Sequence, residues 1–346
     1  MRGLFSALDN IADEVAVVTG ASRGLGLELA RELGRHSCRL VICARDEDEL
    51  NHAASGLRAE GIQVTAVSCD VTSDGAPRLL VDTALARYGR LDTVVNNAGI
   101  IQVGPVGNAR EEDFESALRV MALAPARIAL AALPVMREQG HGRIVNITSV
   151  GGKVSVPHLL PYSMAKFAAV ALSEGLRAEL GPGPVTVTTA VPGLMRTGSH
   201  VRALFSGQQD KEFTWFALGA SLPVVSMDAG RAARRIVSAM RSRRGEVILT
   251  PVAQAAARGA DVFPGLTAAL LHAMSAVLPD TAGQSDQLKE GRTLRPALNG
   301  KAFAALTALG RSAARRLNEL QGRPDDNAQA PHAAPDRPGK PAVPAD

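Results

Sequence analysis

One of the two tyrosines in this chain of 346 residues, Tyr162, stands four positions before Lys166 in the stretch PYSMAKFAA. Residues four apart on a helix share a face, so both side chains can point into one site. A tyrosine with an ordinary pKa of about 10 is a poor base at neutral pH, but a neighbouring ammonium favours the phenolate. The spacing therefore has two interpretations, a proton-transfer pair or a solvated helix face.

A serine and a glycine-rich turn supply further chemistry. Ser149 ends a predicted buried strand thirteen residues before Tyr162, where it could orient a substrate oxygen or only satisfy a turn. In TGASRGLG (19–26), Gly20, Gly24 and Gly26 lie between an apolar run and a predicted helix. Missing side chains there let the backbone approach a pyrophosphate at the helix N-terminus, although a structural tight turn is the alternative.

The second predicted strand indicates which dinucleotide the turn would bind. An acid that binds ribose is expected at its end, but Ala44 holds that place and Arg45 follows. Asp46 and Asp48 lie where a helix begins and are interpreted as its cap and first turn. Because an arginine can pair with a 2′-phosphate and Arg23 could add a second contact, the sequence favours NADP over NAD. The alternative is a pair of solvated arginines.

The elements that must position these residues follow a regular alternation. Nearly continuous apolar runs predict seven strands, as expected when helices cover both faces of a parallel sheet; they span 15–20, 39–44, 64–69, 91–96, 143–148, 185–190 and 246–250. Predicted helices between them span 25–35, 47–59, 74–88, 111–138, 161–180 and 228–242. The fold class is therefore α/β, with a doubly wound, Rossmann-like parallel sheet of seven strands.

Two regions depart from this alternation. Residues 194–226 show no clear period and are interpreted as a long connection of the kind that covers a ligand, with FTWFALGASLP as its lid. The proposed domains are a nucleotide-binding domain over 1–250, a helical C-terminal extension over 251–321, and a disordered tail over 322–346 that is rich in Pro and Ala.

Residues 262–279 contain no Lys, Arg, Asp or Glu, which is borderline for a membrane span. We favour a helix packed over the domain as a substrate lid or oligomer contact. The alternatives are a shallow, peripheral membrane contact and a true span.

Composition excludes several classes of function. The formal charge is +4, but aromatic residues make up only 3% and the basic residues are scattered, so we expect no nucleic-acid partner. The three cysteines form no CxxC and the seven histidines show no metal-ligand spacing, which predicts no metal site. With no defensible export signal at the start and with reduced thiols, the expected location is cytoplasmic.

Five motifs in order resemble the short-chain dehydrogenase/reductase family: TGASRGLG, NNAG (96–99), Ser149, Tyr162 with Lys166, and PGLMRTG (192–198). The likeness covers residues 13–250. It implies that Tyr162 is the general acid/base, that Lys166 also holds the nicotinamide ribose, and that Ser149 hydrogen-bonds the substrate oxygen.

The resemblance also implies a cofactor-binding set. In the glycine-rich turn and at the end of the second strand it comprises Gly20, Ser22, Arg23, Gly24, Leu25, Gly26 and Arg45. Tyr162 and Lys166 belong to this set as well as to the catalytic one. Asp70 and Val71 match residues that meet the adenine, and Asn96, Asn97, Ala98 and Gly99 match the motif that borders the cofactor. Pro192, Gly193 and Thr197 match the segment near the carboxamide, and turn chemistry is the alternative for Asp70 and Thr197.

One position departs from the family. An asparagine that holds a water behind the lysine is usual there, and the equivalent position is Met121. A thioether is a weak acceptor and no donor. Three alternatives follow: a proton route rebuilt by a backbone carbonyl and water near Pro125, slow or specialised turnover, or a chain that binds nucleotide without turnover.

The resemblance and the residues together predict an NADP(H)-dependent enzyme that interconverts a carbonyl and a secondary alcohol. The apolar lid candidates favour a hydrophobic small-molecule substrate, and we expect a homo-oligomer. The alternative function is a nucleotide-binding sensor or scaffold of the same fold.

Overall fold

The computed structural model of the chain describes residues 9–223, 226–279, 285–298 and 300–321. The strands in these residues are β1 Val15–Thr19, β2 Arg39–Ala44, β3 Val64–Ser68, β4 Thr93–Asn96, β5 Gln102–Val103, β6 Gly142–Ile147, β7 Val185–Val191, β8 Leu194–Arg196, β9 Leu204–Gly207, β10 Ser226–Asp228, β11 Glu246–Ile248 and β12 Ser285–Glu290.

Seven of these strands form the central sheet, in the order β11-β7-β6-β4-β1-β2-β3, and every neighbouring pair is parallel. The chain starts at β1, moves outward to β3, and returns to β4 on the other side of β1. This reversal between β1 and β4 creates a crevice at the carboxyl ends of the strands, where ligands of such sheets bind. The predicted doubly wound, seven-stranded fold is confirmed.

The helices are α1 Gly24–Arg35, α2 Glu47–Ala59, α3 Ala76–Tyr88, α4 Glu111–Leu118, α5 Ala124–Glu138, α6 Leu160–Leu180, α7 Gln209–Ser221, α8 Ala229–Arg241, α9 Pro251–Val262, α10 Pro264–Ser275, α11 Gly300–Leu306 and α12 Ala308–Arg316. A π-helical turn, Arg119–Leu123, joins α4 to α5.

Helices cover both faces of the sheet. Leu29 of α1, Leu50 of α2 and Ile236 of α8 pack on one face, whereas Leu80 of α3 and Ile128 of α5 pack on the other. Because both faces are covered, strand residues of either orientation are buried, which is why the strands are almost uniformly apolar. The stretch Glu111–Glu138 is long and apolar enough to cross a membrane by composition, but its α5 part is a core helix of this domain.

Residues 194–223 and 226–228 contain regular structure that the sequence did not predict. Strands β8 and β10 pair in parallel, and β9 lies between β5 and β12 in a second small sheet. Strands of two to four residues are too short to show a period, so this segment looked like a single long connection.

The C-terminal extension contains helices, as predicted, and one strand, β12, that runs antiparallel to β9. Helix α10 contradicts the expectation of a lid packed over the domain, because it has no buried residue, and Leu266 and Leu270 are 60% and 62% exposed. The predicted tail over 322–346 lies outside the described residues.

Candidate active site

Ser149 and Tyr162 converge on one point beyond β6. Ser149 follows the end of that strand in extended backbone, and its Oγ accepts a hydrogen bond from Gly151 N at 3.0 Å. Tyr162 lies in the first turn of α6, which follows shortly after. A Cβ on Gly151 would lie 3.2 Å from Tyr162 Cε1 and 3.5 Å from Ser149 Oγ, so both side chains border this glycine. The missing side chain at residue 151 leaves room between them.

Lys166 lies one turn further along α6 and is buried. Its Nζ is 5.7 Å from the centre of the Tyr162 ring and donates a hydrogen bond to Ile147 O at 2.8 Å. Burial lowers the pKa of Lys166 to about 8, so the ammonium form predominates at neutral pH. The pair thus shares one helix face, as the spacing predicted, but that face points inward.

The pKa of Tyr162 shifts in the opposite direction from the sequence argument. Burial raises the pKa of Tyr162 above its ordinary value, and a hydrogen bond with Ser149 opposes this rise only in part. The resting side chain is therefore a neutral phenol at pH 7. Such a group can donate a proton to a developing alkoxide.

Met121 lies behind this pair, in the π-helical turn. The side chain is 2% exposed and packs with Ala117, Ala165 and Tyr162. Its Sδ is 3.3 Å from the place that a Cβ on Gly99 would take. The turn interrupts the regular hydrogen-bond ladder, since Ala124 N donates to Arg119 O five residues back. The helix is thus irregular where the sequence predicted a bend, a few residues before Pro125.

The glycine-rich turn follows β1, on the other side of the crevice. Gly20 and Gly24 have φ of +64° and +58°, values that favour glycine. A Cβ on Gly26 would lie only 2.1 Å from Gly20 O, so the turn closes tightly against the start of α1. Asn97 Nδ2 donates to the carbonyls of Thr19 and Gly20, both at 3.0 Å, which fixes the turn to the end of β4. We call residues 20–26 the phosphate cradle.

A buried carboxylate binds the basic residue of the cradle. Glu49 accepts hydrogen bonds from Arg23 Nη1 at 2.8 and 3.0 Å and from Ser22 Oγ at 2.6 Å. Arg202 Nη2 lies 3.1 Å from the same carboxylate. Asp46 caps α2, as predicted, by accepting from Glu49 N at 2.9 Å. Arg45 is exposed and directly follows the end of β2.

The remaining predicted residues fall at the carboxyl ends of their strands. Asp70, beyond β3, accepts from Thr72 N at 2.8 Å and Thr72 Oγ1 at 2.7 Å, so its carboxylate stabilises its own turn. Val71 is buried beside it. Pro192 O accepts from Val150 N at 2.8 Å, which joins the end of β7 to the serine loop. The other members of the set are the cradle residue Leu25, the last β4 residue Asn96, Ala98 in the loop after β4, and Gly193 and Thr197 beyond β7.

Comparisons with known proteins agree with this architecture. The family model for short chain dehydrogenases matches residues 14–204. The chain belongs to the short-chain dehydrogenase family. It is therefore an oxidoreductase by family, as the five motifs predicted.

Individual relatives extend the comparison. A protein of Streptomyces coelicolor named “Putative ketoacyl reductase” is 38% identical over 186 residues, which cover 53% of this chain and 71% of the relative. A short-chain dehydrogenase/reductase from Burkholderia phymatum, solved with NAD, superposes with a TM-score of 0.68 at 26% identity over 74% of this chain and 96% of the other. An actinorhodin polyketide ketoreductase solved with NADPH gives 0.59 at 30% identity over 68% and 95%.

Three residues around the cradle of this short-chain dehydrogenase were missed by the sequence analysis. Glu49 and Glu319 contact Arg23 directly, and Arg202 reaches the cradle only through its contacts with these two residues. Glu49 carries only the signal of an acid in the first turn of a helix, and that signal has a sufficient structural explanation. Arg202 and Glu319 lie outside every motif, and no spacing in the sequence connects them to the cradle.

Proposed function

We propose that the chain is an NADP(H)-dependent ketoreductase that interconverts a carbonyl and a secondary alcohol. The observation that carries this proposal is the convergence of Ser149 Oγ and the Tyr162 ring around Gly151, with the Lys166 ammonium buried behind them. The phosphate cradle lies at the same carboxyl edge of the sheet, beyond β1. The names of the ketoacyl reductase relative and of the ketoreductase structure support this reaction class.

Each of the three side chains has a role that its environment suits. Tyr162, a neutral phenol at pH 7 whose pKa burial raises further, donates the proton to the carbonyl oxygen during reduction and accepts it during oxidation. Ser149 Oγ hydrogen-bonds that oxygen and orients the carbonyl. Lys166 places a positive charge near the phenolate that forms, which stabilises it. The nicotinamide supplies or accepts the hydride when it is bound.

The proton that Tyr162 gives up must be replaced without an asparagine at residue 121. The Met121 thioether cannot relay a proton because it has no donor group. A π-helical turn, however, removes carbonyls from the regular i to i+4 ladder. We therefore assign the relay to water held by backbone carbonyls of residues 119–123, with Met121 as an apolar wall beside Tyr162.

The phosphate cradle and the end of β2 have features that suit a dinucleotide. The glycines at 20, 24 and 26 leave the N-terminus of α1 bare of side chains, which suits a pyrophosphate. Ala44 in place of an acid and the exposed Arg45 favour a 2′-phosphate, hence NADP(H). Residues 317–319 of the chain itself lie on this cradle.

The substrate side of the site is apolar. Tyr162 joins a cluster whose partly buried members include Ile101, Val156, Trp215 and Leu218. Two of these, Trp215 and Leu218, belong to α7, which contains the predicted lid sequence FTWFALG. A hydrophobic ketone or alcohol is the substrate class that this surface favours.

Thermal stabilisation of the chain by dinucleotides, followed by turnover of ketones, tests the proposal. The thermal midpoint should rise more with NADPH than with NADH, and the NADPH-loaded chain should reduce members of a panel of hydrophobic ketones. A greater shift with NADH would contradict the role of Arg45. Binding of NADPH without turnover on any ketone or alcohol would favour the alternative, a nucleotide sensor or scaffold.

The chain is also proposed to form a homo-oligomer through α5. Leu123 and Leu130, seven residues apart and therefore on one face, are 56% and 65% exposed. Light scattering should give a mass of at least two chains, and Leu130→Glu should give a single chain. The control is Leu79→Glu, at an exposed leucine on α3.

For location, we propose a cytoplasmic enzyme with a peripheral membrane contact through residues 262–279. Phe263, Leu266 and Leu270 are each about 60% exposed, and no charged residue interrupts this stretch. At 1.5 Å per residue, a helix as short as α10 cannot cross a bilayer, so the contact would be shallow. The detergent-free chain should float with neutral phosphatidylcholine vesicles, and Leu266→Glu with Leu270→Glu should abolish flotation. A wild-type chain that remains with the soluble fraction would contradict this contact.

A further inference from the structure

The last described residues of the chain lie directly on the phosphate cradle. Gly24 N, at the N-terminus of α1, donates a hydrogen bond to Leu317 O at 3.0 Å. Asn318 Nδ2 donates to Ser22 O at 3.2 Å. Glu319 Oε1 is 2.8 Å from the place that a Cβ on Gly24 would take. Residues 317–319, here called the docked segment, therefore use the open space that the glycines create.

Glu319 brings a carboxyl group to the arginine of the cradle, which the Glu49 carboxylate also binds. Its side chain is 4% exposed, its Oε2 is 3.6 Å from Arg23 Nε, and its backbone carbonyl accepts from Arg202 Nε at 3.1 Å. A helix N-terminus with a glycine floor and two arginines is a typical site for a phosphate. The carboxylate thus meets the same groups that a pyrophosphate would meet.

The segment is held by more than this carboxylate. Helix α12 packs closely on the loop after β8, since a Cβ on Gly198 would lie 2.4 Å from Ala314 Cβ. Gly310 of the same helix lies against Ser221, where a Cβ would be 2.3 Å from Oγ. Arg316 pairs with Asp228 at 2.9 Å. Several independent contacts therefore bring α12, and with it the docked segment, to one defined position.

The docked segment has a weakness that a competing ligand can exploit. Glu319 Oε2 has no hydrogen-bond partner among the described residues, although it is buried. Leaving a buried carboxylate oxygen unsatisfied costs free energy that hydration or a full ion pair would recover. Undocking lets water hydrate this oxygen. The free energy gained by hydration offsets part of the free energy lost when the other docking contacts break.

We propose that residues 317–319 are an intramolecular ligand of the phosphate cradle that competes with the dinucleotide. The inference rests on the proposed binding of NADP(H) at this cradle. Gly24 N cannot donate to Leu317 O and to a phosphate at the same time, and the Glu319 carboxylate fills the space above Gly24. Dinucleotide binding therefore requires the segment to leave, and the apparent Kd equals the intrinsic Kd divided by the fraction of chains in which the segment is undocked.

The test compares full-length variants that weaken docking. Asn318→Ala removes the hydrogen bond to Ser22 O, and Ala314→Glu forces a carboxylate against Gly198 and displaces α12. The matched control is Asp82→Asn, which removes one charge from an exposed pair with Arg78 on α3. Titration of NADPH fluorescence should give a Kd about tenfold lower for both docking variants than for wild type, with no change for the control. Equal or weaker binding by both variants would overturn the inference.

Hydrogen exchange supplies a readout that does not depend on a variant's folding. In the wild-type chain, saturating NADPH should increase exchange of the amides of residues 308–321. Increased protection of these amides would show that the segment closes over a bound dinucleotide, which is the opposite mechanism. If neither wild type nor any variant binds NADPH or NADH, the proposed function fails together with this inference. If all bind equally and exchange is unchanged, only the inference fails.

Discussion

The two halves of the crevice differ in what lies over them. At the catalytic half, Ser149, Tyr162 and Lys166 are assembled, and the surface beside Tyr162 is apolar and only partly buried. At the cofactor half, the phosphate cradle is equally well formed but is covered by residues 317–319. The residues of both halves therefore lie in the part of the chain that the family model matches, whereas access to the cradle depends on a C-terminal extension beyond that match.

The largest effect should come from removing the acid of the catalytic half. Tyr162→Phe deletes the proton donor and leaves the ring packed as before, so kcat for ketone reduction should fall by about 10²- to 10⁴-fold. The Kd for NADPH should change by less than about twofold, because the cradle is untouched. Steady-state kinetics and fluorescence titration measure the two quantities. Full activity in this variant would rule out the proposed mechanism.

Removing the cation at the end of β2 should affect only the cofactor half. Arg45→Ala deletes the charged contact that we assign to the 2′-phosphate, and such contacts contribute about 1.5–3 kcal/mol. The Kd for NADPH should therefore rise about 10- to 100-fold, with little change for NADH, which lacks this phosphate. Arg78→Ala on α3 is a suitable control. Parallel losses for both dinucleotides would mean that Arg45 does not select between them.

The docked segment makes dinucleotide affinity depend on pH. Burial raises the pKa of Glu319 to about 7, although Arg23 and Arg202 oppose this rise, while Glu49 and Glu290 reinforce it. A carboxyl with a raised pKa binds more protons when docked than when free. Docking is therefore strongest below the free pKa of about 4.5 and weakens as pH rises through 7.

Between pH 6 and pH 8 this change should strengthen NADPH binding about tenfold in the wild-type chain. Glu319→Gln cannot titrate, so the ratio of its Kd to the wild-type Kd isolates this carboxyl from ionisation of the dinucleotide itself. Fluorescence titrations at several pH values give the ratio. A ratio that is constant with pH would show that Glu319 does not titrate on docking.

The smallest effect is expected at the relay behind Tyr162. Met121→Asn restores the amide that the family usually has, and kcat should stay equal or rise by no more than a few-fold if backbone carbonyls already hold the water. Burying an amide in place of a thioether should lower the free energy of unfolding by about 1–3 kcal/mol. Turnover and urea denaturation measure these changes. Loss of activity at unchanged stability would contradict the proposed relay.

The difference between the two halves of the crevice also explains which structural features could be predicted from the sequence. The seven strands were predictable because burial on both faces makes each a continuous apolar run. The shared face of Tyr162 and Lys166 was predictable because one helix fixes their separation, whereas their roles, and that of Ser149, were implied only by the resemblance to the family. The cover on the cradle was not, since it depends on Arg202 and Glu319, which are brought to Gly24 by short strands and by packing at Gly198 rather than by any local period.

The pairing of β12 with β9 has a consequence for how the docked segment behaves in solution. It anchors the extension to the domain just ahead of α11, so a segment that has left the cradle stays on a short tether. Flexible tethers of this kind keep local concentrations on the order of millimolar. Dilution of the enzyme therefore cannot relieve the competition between the docked segment and the dinucleotide. The competition should be as strong in assays at nanomolar protein as it is in the cell.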